Sequence, residues 1–300
     1  MTFAGTSPSL EAEASASSAI TVDPVTSAVG AVVAGIDMRR PLAPEDAVAL
    51  RQAWLDHGVL FFRNQDVTLE QFWSFMANFG RPQKEEVSGT DRDEAKDVQT
   101  ADMAPVRHST AVWHADTTSL AHPPMATALR AVKVPPFGGD TCWSCMYAAY
   151  EALSEPMRSM LDGLTAVHSI EPTYDRMKDY ARFFVDKYSE RHAPKQVHPV
   201  VLSHPETGRK ALYVSESFTT RIVELTEAES RSVLDLLFRH IGSPCFTMRW
   251  KWAANDIAFW DNRSVQHFAV PDYESTRTMQ RIVLAGEHPS ASLAPSAQSH

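Results

Sequence analysis

Short apolar runs separated by turn residues dominate the second half of this chain, and they limit the folds open to it. Strand candidates run from Met125 to Val134, from Phe246 to Trp252, from Ile257 to Trp260 and from Arg281 to Ala285. Runs of roughly four to eight such residues bounded by turns are typical of β-strands. The pattern predicts a mainly β protein, with an antiparallel sheet core and helices packed outside it; a jelly roll is one such architecture.

Helices are predicted in the first third of the chain and as later insertions. One runs from Pro44 to about His57, and another begins after Thr68, which has Gln71 three residues on, as in a capping box. Two more are predicted over Tyr147 to Leu164 and over Thr226 to Ile241. Their spacing fits helices that cover a sheet.

Composition divides the chain into one large folded region and two polar ends. Residues 1–19 are predicted to be a disordered leader and residues 289–300 a flexible tail. Residues 20–288 are expected to form one domain, in which the polar stretches 81–107 and 171–196 are loop or lid insertions.

The charge balance excludes several classes of partner. With 37 acidic and 28 basic residues the net charge is −9 at pH 7, so neither nucleic acid nor a membrane surface is an expected partner. No secretory signal and no apolar run of membrane-spanning length is found. Three cysteines fit a reducing compartment, and a cytoplasmic location is expected.

Cys142 and Cys145 form a C-x-x-C sequence, which could indicate a thiol redox protein. The pair is predicted to lie on a strand, where residues three apart face opposite sides. A shared metal or disulfide is therefore disfavoured, and a structural role is expected for both thiols.

The motif that best indicates chemistry is His114-Ala115-Asp116. A histidine and a carboxylate two apart on a strand point to the same face, as an iron(II) site of two imidazoles and one carboxylate requires. A second such pair, His204 and Glu206, is interrupted by a proline in a predicted turn, so a structural role is favoured there.

Spacing alone does not choose a third ligand from the 12 histidines. His267 has the best context, because it follows a strand that runs into a polar turn. Arg277 and Arg281 flank the next strand. Buried arginines usually hold an anion, but taken by themselves these two fit surface salt bridges better.

Taken together, the motifs resemble the taurine and aryloxyalkanoate dioxygenase (TauD/TfdA) family over about residues 20–287. The matching segments are residues 113–117 (Trp-His-Ala-Asp-Thr), 122–124 (His-Pro-Pro), 138–141 (Gly-Gly-Asp-Thr), 147–154 (Tyr-Ala-Ala-Tyr-Glu-Ala-Leu-Ser), 204–210 (His-Pro-Glu-Thr-Gly-Arg-Lys), 213–214 (Tyr-Val), 218–219 (Phe-Thr), 260–263 (Trp-Asp-Asn-Arg), 266–267 (Gln-His), 272–273 (Asp-Tyr) and 277–281 (Arg-Thr-Met-Gln-Arg).

The resemblance implies a double-stranded β-helix that uses Fe(II), 2-oxoglutarate and O2. It implies that His114, Asp116 and His267 are the metal ligands and the catalytic centre, and that Thr141 and Arg277 bind the far carboxylate of 2-oxoglutarate. The reaction would release succinate and CO2 while a small organic substrate is hydroxylated. Family members are commonly dimers or tetramers, so a homo-oligomer is expected.

For the substrate, the resemblance implies a small anion that is held by Arg281. Phe218, Thr117 and Tyr174 are further candidate substrate contacts. A sulfate ester, sulfonate or aryloxy group on the hydroxylated carbon would make the product collapse to an aldehyde or keto compound. The alternative is a non-catalytic, cupin-like protein that binds a metal or an anion.

Two departures from the family pattern concern the substrate. The sulfonate-using members have a histidine in the loop after the Phe-Gly pair that matches Phe79 and Gly80, and residues 81–86 contain none. The asparagine expected shortly before the metal motif is also absent from residues 108–111. An anion larger or less polar than taurine is therefore expected.

Overall fold

The structure of the chain, a computed structural model, describes residues 20–83, 92–93, 98–103, 112–177 and 195–291. The predicted leader at residues 1–19 lies outside this part of the chain, as does the predicted tail from residue 292 onwards. No helix in the described part is long and apolar enough to span a bilayer.

Strands account for most of the regular structure, as predicted. They are β1 (Thr21–Pro24), β2 (Ala31–Ala34), β3 (Val59–Phe62), β4 (Pro82–Gln83), β5 (Arg92–Asp93), β6 (Val98–Met103), β7 (Ala126–Lys133), β8 (Thr141–Cys145), β9 (Thr165–Ser169), β10 (Lys195–Pro199), β11 (Val201–Ser203), β12 (Lys210–Leu212), β13 (Thr219–Ile222), β14 (Thr247–Trp250), β15 (Ile257–Asp261), β16 (Val265–Ala269) and β17 (Arg277–Leu284). The helices are α1 (Pro44–His57), α2 (Leu69–Met76), α3 (Met146–Glu151), α4 (Glu155–Leu161), α5 (Glu171–Met177) and α6 (Glu227–Ile241).

Two sheets of unequal size form the frame of the molecule. The larger has the order β1-β2-β3-β15-β7-β17-β6-β5, with β4 also paired to β17, and the smaller has the order β14-β8-β16. Neighbouring strands are antiparallel except β2 and β3. The remaining strands form two small sheets, β10-β9-β13 and β11-β12. This arrangement is the predicted double-stranded β-helix, or jelly roll.

Aromatic side chains fill the space between the two sheets. Phe61 of β3 stacks on Trp250 of β14 with ring centroids 3.9 Å apart, and it meets the edge of Trp143 of β8 at 5.2 Å. Phe61 and Trp143 are fully buried. Each aromatic pair contributes about 0.5–1.5 kcal/mol beyond its buried area, so these contacts hold the small sheet, and with it β8 and β16, in a fixed position.

A second core lies between the larger sheet and helices α1 and α2. Phe259 of β15 stacks on Trp54 of α1 at 4.7 Å, while its neighbour Trp260 points into the other core. Successive strand residues point to opposite faces, so β15 is buried on both. This explains why residues 257–260 are an unbroken apolar run.

The predicted start of α2 is confirmed. The Thr68 hydroxyl accepts a hydrogen bond from the backbone N–H of Gln71, whose side chain accepts one from the backbone N–H of Thr68. The two bonds satisfy donors that a helix start otherwise leaves unpaired.

The two stretches predicted as irregular insertions contain regular structure. In the 81–107 stretch, β6 pairs with β17 over five residues, so the prediction of a continuous loop is wrong for residues 98–103. In the 171–196 stretch, α5 and the start of β10 are regular. Pairing with distant strands stabilises a polar segment whose composition does not indicate a strand. The rest of the proposed lid, residues 178–194, lies outside the described residues.

The single helix predicted over residues 147–164 is wrong, because two helices form there. Helix α3 ends at Glu151, and α4 begins at Glu155 after an extended N-cap residue, Ser154. Pro156 lies in the first turn of α4. Since proline has no backbone N–H to continue the ladder of α3, it is accommodated at the start of a new helix.

Candidate functional site

Backbone pairing brings the two predicted histidine ligands together. His114 and His267 form an isolated antiparallel bridge, with N–H to O distances of 3.0 Å from His114 and 2.8 Å from His267. His267 lies in β16, whose place beside β8 is fixed by the core. The bridge therefore extends the small sheet and puts both imidazoles on one surface.

Asp116 completes a cluster of three side chains that could hold a metal ion. One donor atom from each of His114, Asp116 and His267 lies within 4.8 Å of the others. His114 Nδ1 is 2.9 Å from the carbonyl oxygen of Val112. A nitrogen that faces a carbonyl carries the proton, so the other ring nitrogen of His114 keeps its lone pair for a metal.

The electrostatics of the cluster favour neutral imidazoles and an ionised carboxylate. Burial lowers the pKa of His267 to about 3, reinforced by His114 and opposed by Asp116. Burial also lowers the pKa of His114. For Asp116, burial acts to raise the pKa, but the charges of Arg281 and the two histidines and the Thr127 hydrogen bond outweigh it and hold the pKa well below its usual range. These are the protonation states that metal ligation requires.

The donor set fits Fe(II). Two imidazoles and one carboxylate on one face form the arrangement that non-haem iron(II) oxygenases use, because the remaining positions stay open for cosubstrate and O2. In the described part of the chain it is the only group of three or more such side chains that could hold a metal ion.

Thr127 and Asn262 fix the carboxylate, and their roles were missed from the sequence. The Thr127 hydroxyl donates to Asp116 Oδ2 at 2.6 Å and accepts from Asn262 Nδ2 at 3.1 Å. Asn262 Oδ1 accepts from the Asp116 backbone N–H at 3.2 Å and from Trp260 Nε1 at 3.1 Å. The only feature of the sequence that could have indicated this role is the position of Thr127, a polar residue within the largely apolar strand β7.

We expect Thr127→Val to weaken metal binding while leaving the fold intact. Valine keeps the shape of threonine but removes the donor to Asp116, and loss of such outer partners lowers metal affinity by roughly 10–100-fold. Calorimetric titration with Fe(II) measures the effect, with Thr247→Val in β14 as the control. An affinity within threefold of wild type would contradict this role.

Arg277 is tied by a hydrogen bond to Gly139, two residues before Thr141, the other residue that the resemblance implied for the far carboxylate of 2-oxoglutarate. Arg277 is only 2% exposed, its Nη1 donates to the carbonyl oxygen of Gly139 at 2.6 Å, and its Nε has no partner among the described residues. The Thr141 hydroxyl accepts from Trp252 Nε1 at 3.0 Å, so its own proton can be donated elsewhere. A buried guanidinium with an unpaired donor fits a carboxylate, to which a hydroxyl with a free proton can also donate.

A glycine turn sets the position of the Gly139 carbonyl. Gly138 has a φ of +68°, and a Cβ there would lie 2.2 Å from the backbone oxygen of Asp272. The Asp272 side chain accepts from the Gly139 N–H at 2.8 Å and pairs with Arg249 at 2.7 Å. Only glycine permits so close an approach with this backbone conformation.

Arg281 lies four residues after Arg277 on β17, and the even spacing puts both side chains on the same face of the strand. Its Nη2 is 2.6 Å from Asp116 Oδ1, the oxygen that is also 3.8 Å from His267 Nε2. The structure therefore places Arg281 directly against a metal-binding side chain, in addition to any contact with a substrate.

The three other candidate substrate contacts are placed differently. Thr117 follows Asp116 with a φ of +43°, and its buried hydroxyl has no partner among the described residues. Phe218 is buried, with its ring centroid 6.4 Å from that of His114. Tyr174 lies in α5, but its side chain is outside the described part of the structure.

The alternative motifs have structural roles. His204 is fully buried and its Nε2 is 3.0 Å from Asp261 Oδ2, away from the metal cluster. Cys142 and Cys145 both lie on β8 and are not in a disulfide. Burial raises the pKa of the Cys142 thiol to about 11, which disfavours the reactive thiolate.

Two buried histidines hold the turn that follows Asp116. His168 Nδ1 is 2.9 Å from the Thr118 hydroxyl, and His198 Nε2 is 3.0 Å from the carbonyl oxygen of Leu120. The rings of His168, His198 and Tyr213 pack against one another. Burial, and then the charge of His198, lowers the pKa of His168 to about 3.

We expect His168 to make the protein less stable in acid. In the unfolded chain the imidazole of His168 has a pKa near 6.5, whereas in the folded chain its pKa is about 3. Between these two pH values the unfolded chain binds a proton at His168 and the folded chain does not. The free energy of unfolding therefore falls as the pH is lowered from about 6.5 to about 3. At pH 5 the loss relative to pH 7 is about 2 kcal/mol. Urea unfolding of wild type and His168→Asn at pH 5 and pH 7 measures the loss. If the free energy of unfolding fell between the two pH values by the same amount in the variant as in wild type, His168 would not be the cause.

Comparison with known proteins agrees with the geometry. The model of the "Taurine catabolism dioxygenase TauD, TfdA family" matches residues 21–283. The chain is 34% identical to an alkylsulfatase of Acinetobacter baylyi, covering 88% of this chain and 84% of that protein. It is 35% identical to an alpha-ketoglutarate-dependent sulfate ester dioxygenase of Pseudomonas putida, covering 89% and 90%. A crystal structure described as a putative alpha-ketoglutarate-dependent taurine dioxygenase from Burkholderia xenovorans superposes with a TM-score of 0.78 at 36% identity, covering 90% and 91%.

Proposed function

The chain belongs to the TauD/TfdA dioxygenase family, and on that premise we propose that it oxidises sulfate esters of small alkyl alcohols. It is an Fe(II)- and 2-oxoglutarate-dependent dioxygenase, with O2 as second cosubstrate. The alternative of a non-catalytic cupin-like binding protein is not favoured, because relatives of this chain are named as alpha-ketoglutarate-dependent dioxygenases and the His-Asp-His cluster is complete.

One observation carries the assignment of residues to roles. The donor atoms of His114, Asp116 and His267 converge within 4.8 Å, and Arg281 contacts the same carboxylate. We propose that these three side chains hold Fe(II), which when bound supplies the activation of O2 that oxidises a substrate C–H bond. Thr127 would keep the carboxylate of Asp116 oriented toward the ion.

We propose that Arg277 and Thr141 bind the far carboxylate of 2-oxoglutarate. The buried guanidinium of Arg277 presents a planar fork that suits a carboxylate, and the Thr141 hydroxyl would add a neutral donor. Because both side chains are almost fully buried, water does not compete for the carboxylate in the bound state. The glycine turn at Gly138 and Gly139 also holds Arg277 in place, because its Nη1 donates to the carbonyl oxygen of Gly139.

The charges around the site support an anionic organic substrate. Arg281 contacts Asp116, Arg277 lies four residues before Arg281 on β17, and the charge of Arg176 acts on His114; Asp116 is the one carboxylate among the three proposed ligands. The two positive charges by which these three guanidinium groups exceed the Asp116 carboxylate are balanced by a bound 2-oxoglutarate dianion. The positive charge of the divalent metal ion then remains unbalanced. A substrate that carries its own negative charge reduces the repulsion.

The similarity to an alkylsulfatase and a sulfate ester dioxygenase favours a sulfate ester over a sulfonate or an aryloxyalkanoate. Hydroxylation of the carbon that bears the ester oxygen gives a product that collapses to an aldehyde and inorganic sulfate. One atom of O2 enters this hydroxyl group, and the other enters succinate as CO2 leaves. Thr117, Phe218 and Tyr174 remain proposed contacts to the organic part of the substrate.

The test is turnover of octyl sulfate by the Fe(II)-loaded protein with 2-oxoglutarate in air. Octanal, sulfate and succinate are expected in equal amounts, and octanesulfonate and 2-phenoxypropionate serve as competing substrate classes. Succinate formed with either of those, and none with octyl sulfate, would reject the sulfate ester and retain the enzyme class.

We also propose that residues 20–288 act as one dioxygenase domain in a cytoplasmic homo-oligomer, with neither nucleic acid nor membrane as a partner. The family match over residues 21–283 supports the domain bounds, and the net charge of −9 supports the exclusions. Sedimentation of the purified protein will give the oligomeric state, for which a dimer or tetramer is expected.

A further inference from the structure

A third arginine, besides Arg277 and Arg281, lies on a segment that borders the metal site: Arg176 of α5. This helix is tied to the loop after β12 because the Thr173 hydroxyl donates to the carbonyl oxygen of Ser217 at 2.8 Å. The next residue of that loop, Phe218, places its ring against His114. Arg176 is thus held by the segment that forms one wall of the site.

The hydrogen bonding of Arg176 is incomplete. Its Nη1 and Nη2 share one acceptor, the carbonyl oxygen of Glu216, at the long distances of 3.4 and 3.5 Å, and its Nε is buried with no partner among the described residues. A half-buried guanidinium held this weakly is costly without an anion, and burial lowers its pKa although Glu216 and Asp175 oppose this.

The contacts of Arg176 place it next to the wall of the cluster. Its guanidinium donates to the carbonyl oxygen of Glu216, two residues before Phe218, and the Phe218 ring centroid is 6.4 Å from that of His114. Arg281 is already engaged at 2.6 Å with Asp116, and Arg277 is occupied by Gly139 in a buried position. Of the three, Arg176 has the donors that are least satisfied.

We propose that Arg176 binds the anionic headgroup of the organic substrate and thereby selects for charged substrates. This inference rests on the proposed function, since it assigns the contact for the sulfate group of that substrate. A planar guanidinium can donate two parallel hydrogen bonds to a tetrahedral oxyanion. The anion would complete the hydrogen bonding of Arg176 and share the charge of Arg281, which also contacts Asp116, while Arg277 retains 2-oxoglutarate.

The test compares a charged and an uncharged ligand of the same chain length. Anaerobic calorimetry on protein loaded with Fe(II) and 2-oxoglutarate measures the Kd of octyl sulfate and of 1-octanol. In Arg176→Gln the Kd of octyl sulfate should rise about 10- to 100-fold, the range for a lost charge-assisted hydrogen bond. The Kd values of 1-octanol and of 2-oxoglutarate should stay within twofold of wild type.

Two further variants make the result specific. Arg176→Lys keeps the charge but not the planar fork, and it should recover part of the affinity for octyl sulfate. Arg221→Gln removes an exposed arginine from β13 and should leave all three affinities unchanged. An equal loss in Arg221→Gln would indicate a general charge effect and overturn the assignment of Arg176.

The outcomes separate this inference from the proposed function. An octyl sulfate Kd within twofold of wild type in Arg176→Gln, with wild type binding it, would overturn the role of Arg176 and leave the substrate proposal intact. Wild-type protein that binds 2-oxoglutarate but not octyl sulfate would overturn the substrate proposal and this inference with it.

Discussion

Replacing His114 with alanine is expected to abolish succinate formation and to weaken Fe(II) binding by more than about 100-fold, beyond the range seen for outer-shell partners. The side chain offers one of the three donors that converge within 4.8 Å. The hydrogen bonds that join His114 to His267 come from the backbone, so the variant should keep the small sheet. Metal titration by calorimetry measures the affinity independently of turnover.

The matched control is His122→Ala, which removes an exposed histidine from the same segment and should leave Fe(II) affinity unchanged. Circular dichroism of both variants checks the fold. Full Fe(II) affinity in a folded His114→Ala protein would place the metal elsewhere and contradict the ligand assignment.

The second large effect is expected from Arg277→Gln, which should raise the KM for 2-oxoglutarate by about 100- to 4,000-fold. Arg277 is 2% exposed, and removing one partner of a buried charge pair costs about 3–5 kcal/mol, with tenfold in affinity for each 1.4 kcal/mol. Glutamine can still donate to the carbonyl of Gly139, so the turn should stay closed. Succinate release at varied 2-oxoglutarate gives the KM.

Arg281→Gln serves as the comparison on the same face of β17. It should raise the KM of the organic substrate more than that of 2-oxoglutarate. If both variants lost 2-oxoglutarate affinity to the same degree, the division of roles between the two arginines would be wrong.

The local parts of the fold could be predicted from the sequence because their signals are local. The capping box at Thr68 and the helix from Pro44 to His57 depend on residues within one turn. The strand predicted over His114 and Asp116 is wrong, because His114 forms only an isolated bridge and Asp116 begins a turn; their convergence depends on that bridge and on the Thr127 hydrogen bond to Asp116. His267 could be favoured by its context, but only the backbone bridge to His114 brings it to the site, and such pairing spans most of the domain.

Features that depend on distant contacts were missed. β6 is a strand because it pairs with β17, and the composition of residues 98–103 does not predict that pairing. Asn262 and Trp252 act through hydrogen bonds to Asp116 and Thr141, which no spacing predicts. Arg176 lies in a polar stretch where an arginine is unremarkable, and its position matters only because α5 packs on the wall that carries Phe218.

The most direct test of the central claim is an anaerobic titration of the metal-free protein with Fe(II) and 2-oxoglutarate, followed in the visible region. A weak charge-transfer band that needs both additions is predicted, because the cosubstrate must chelate an ion held by His114, Asp116 and His267. The band should be absent from His114→Ala. Folded protein that binds Fe(II) but gives no band with 2-oxoglutarate would contradict the claim that this cluster is a dioxygenase centre.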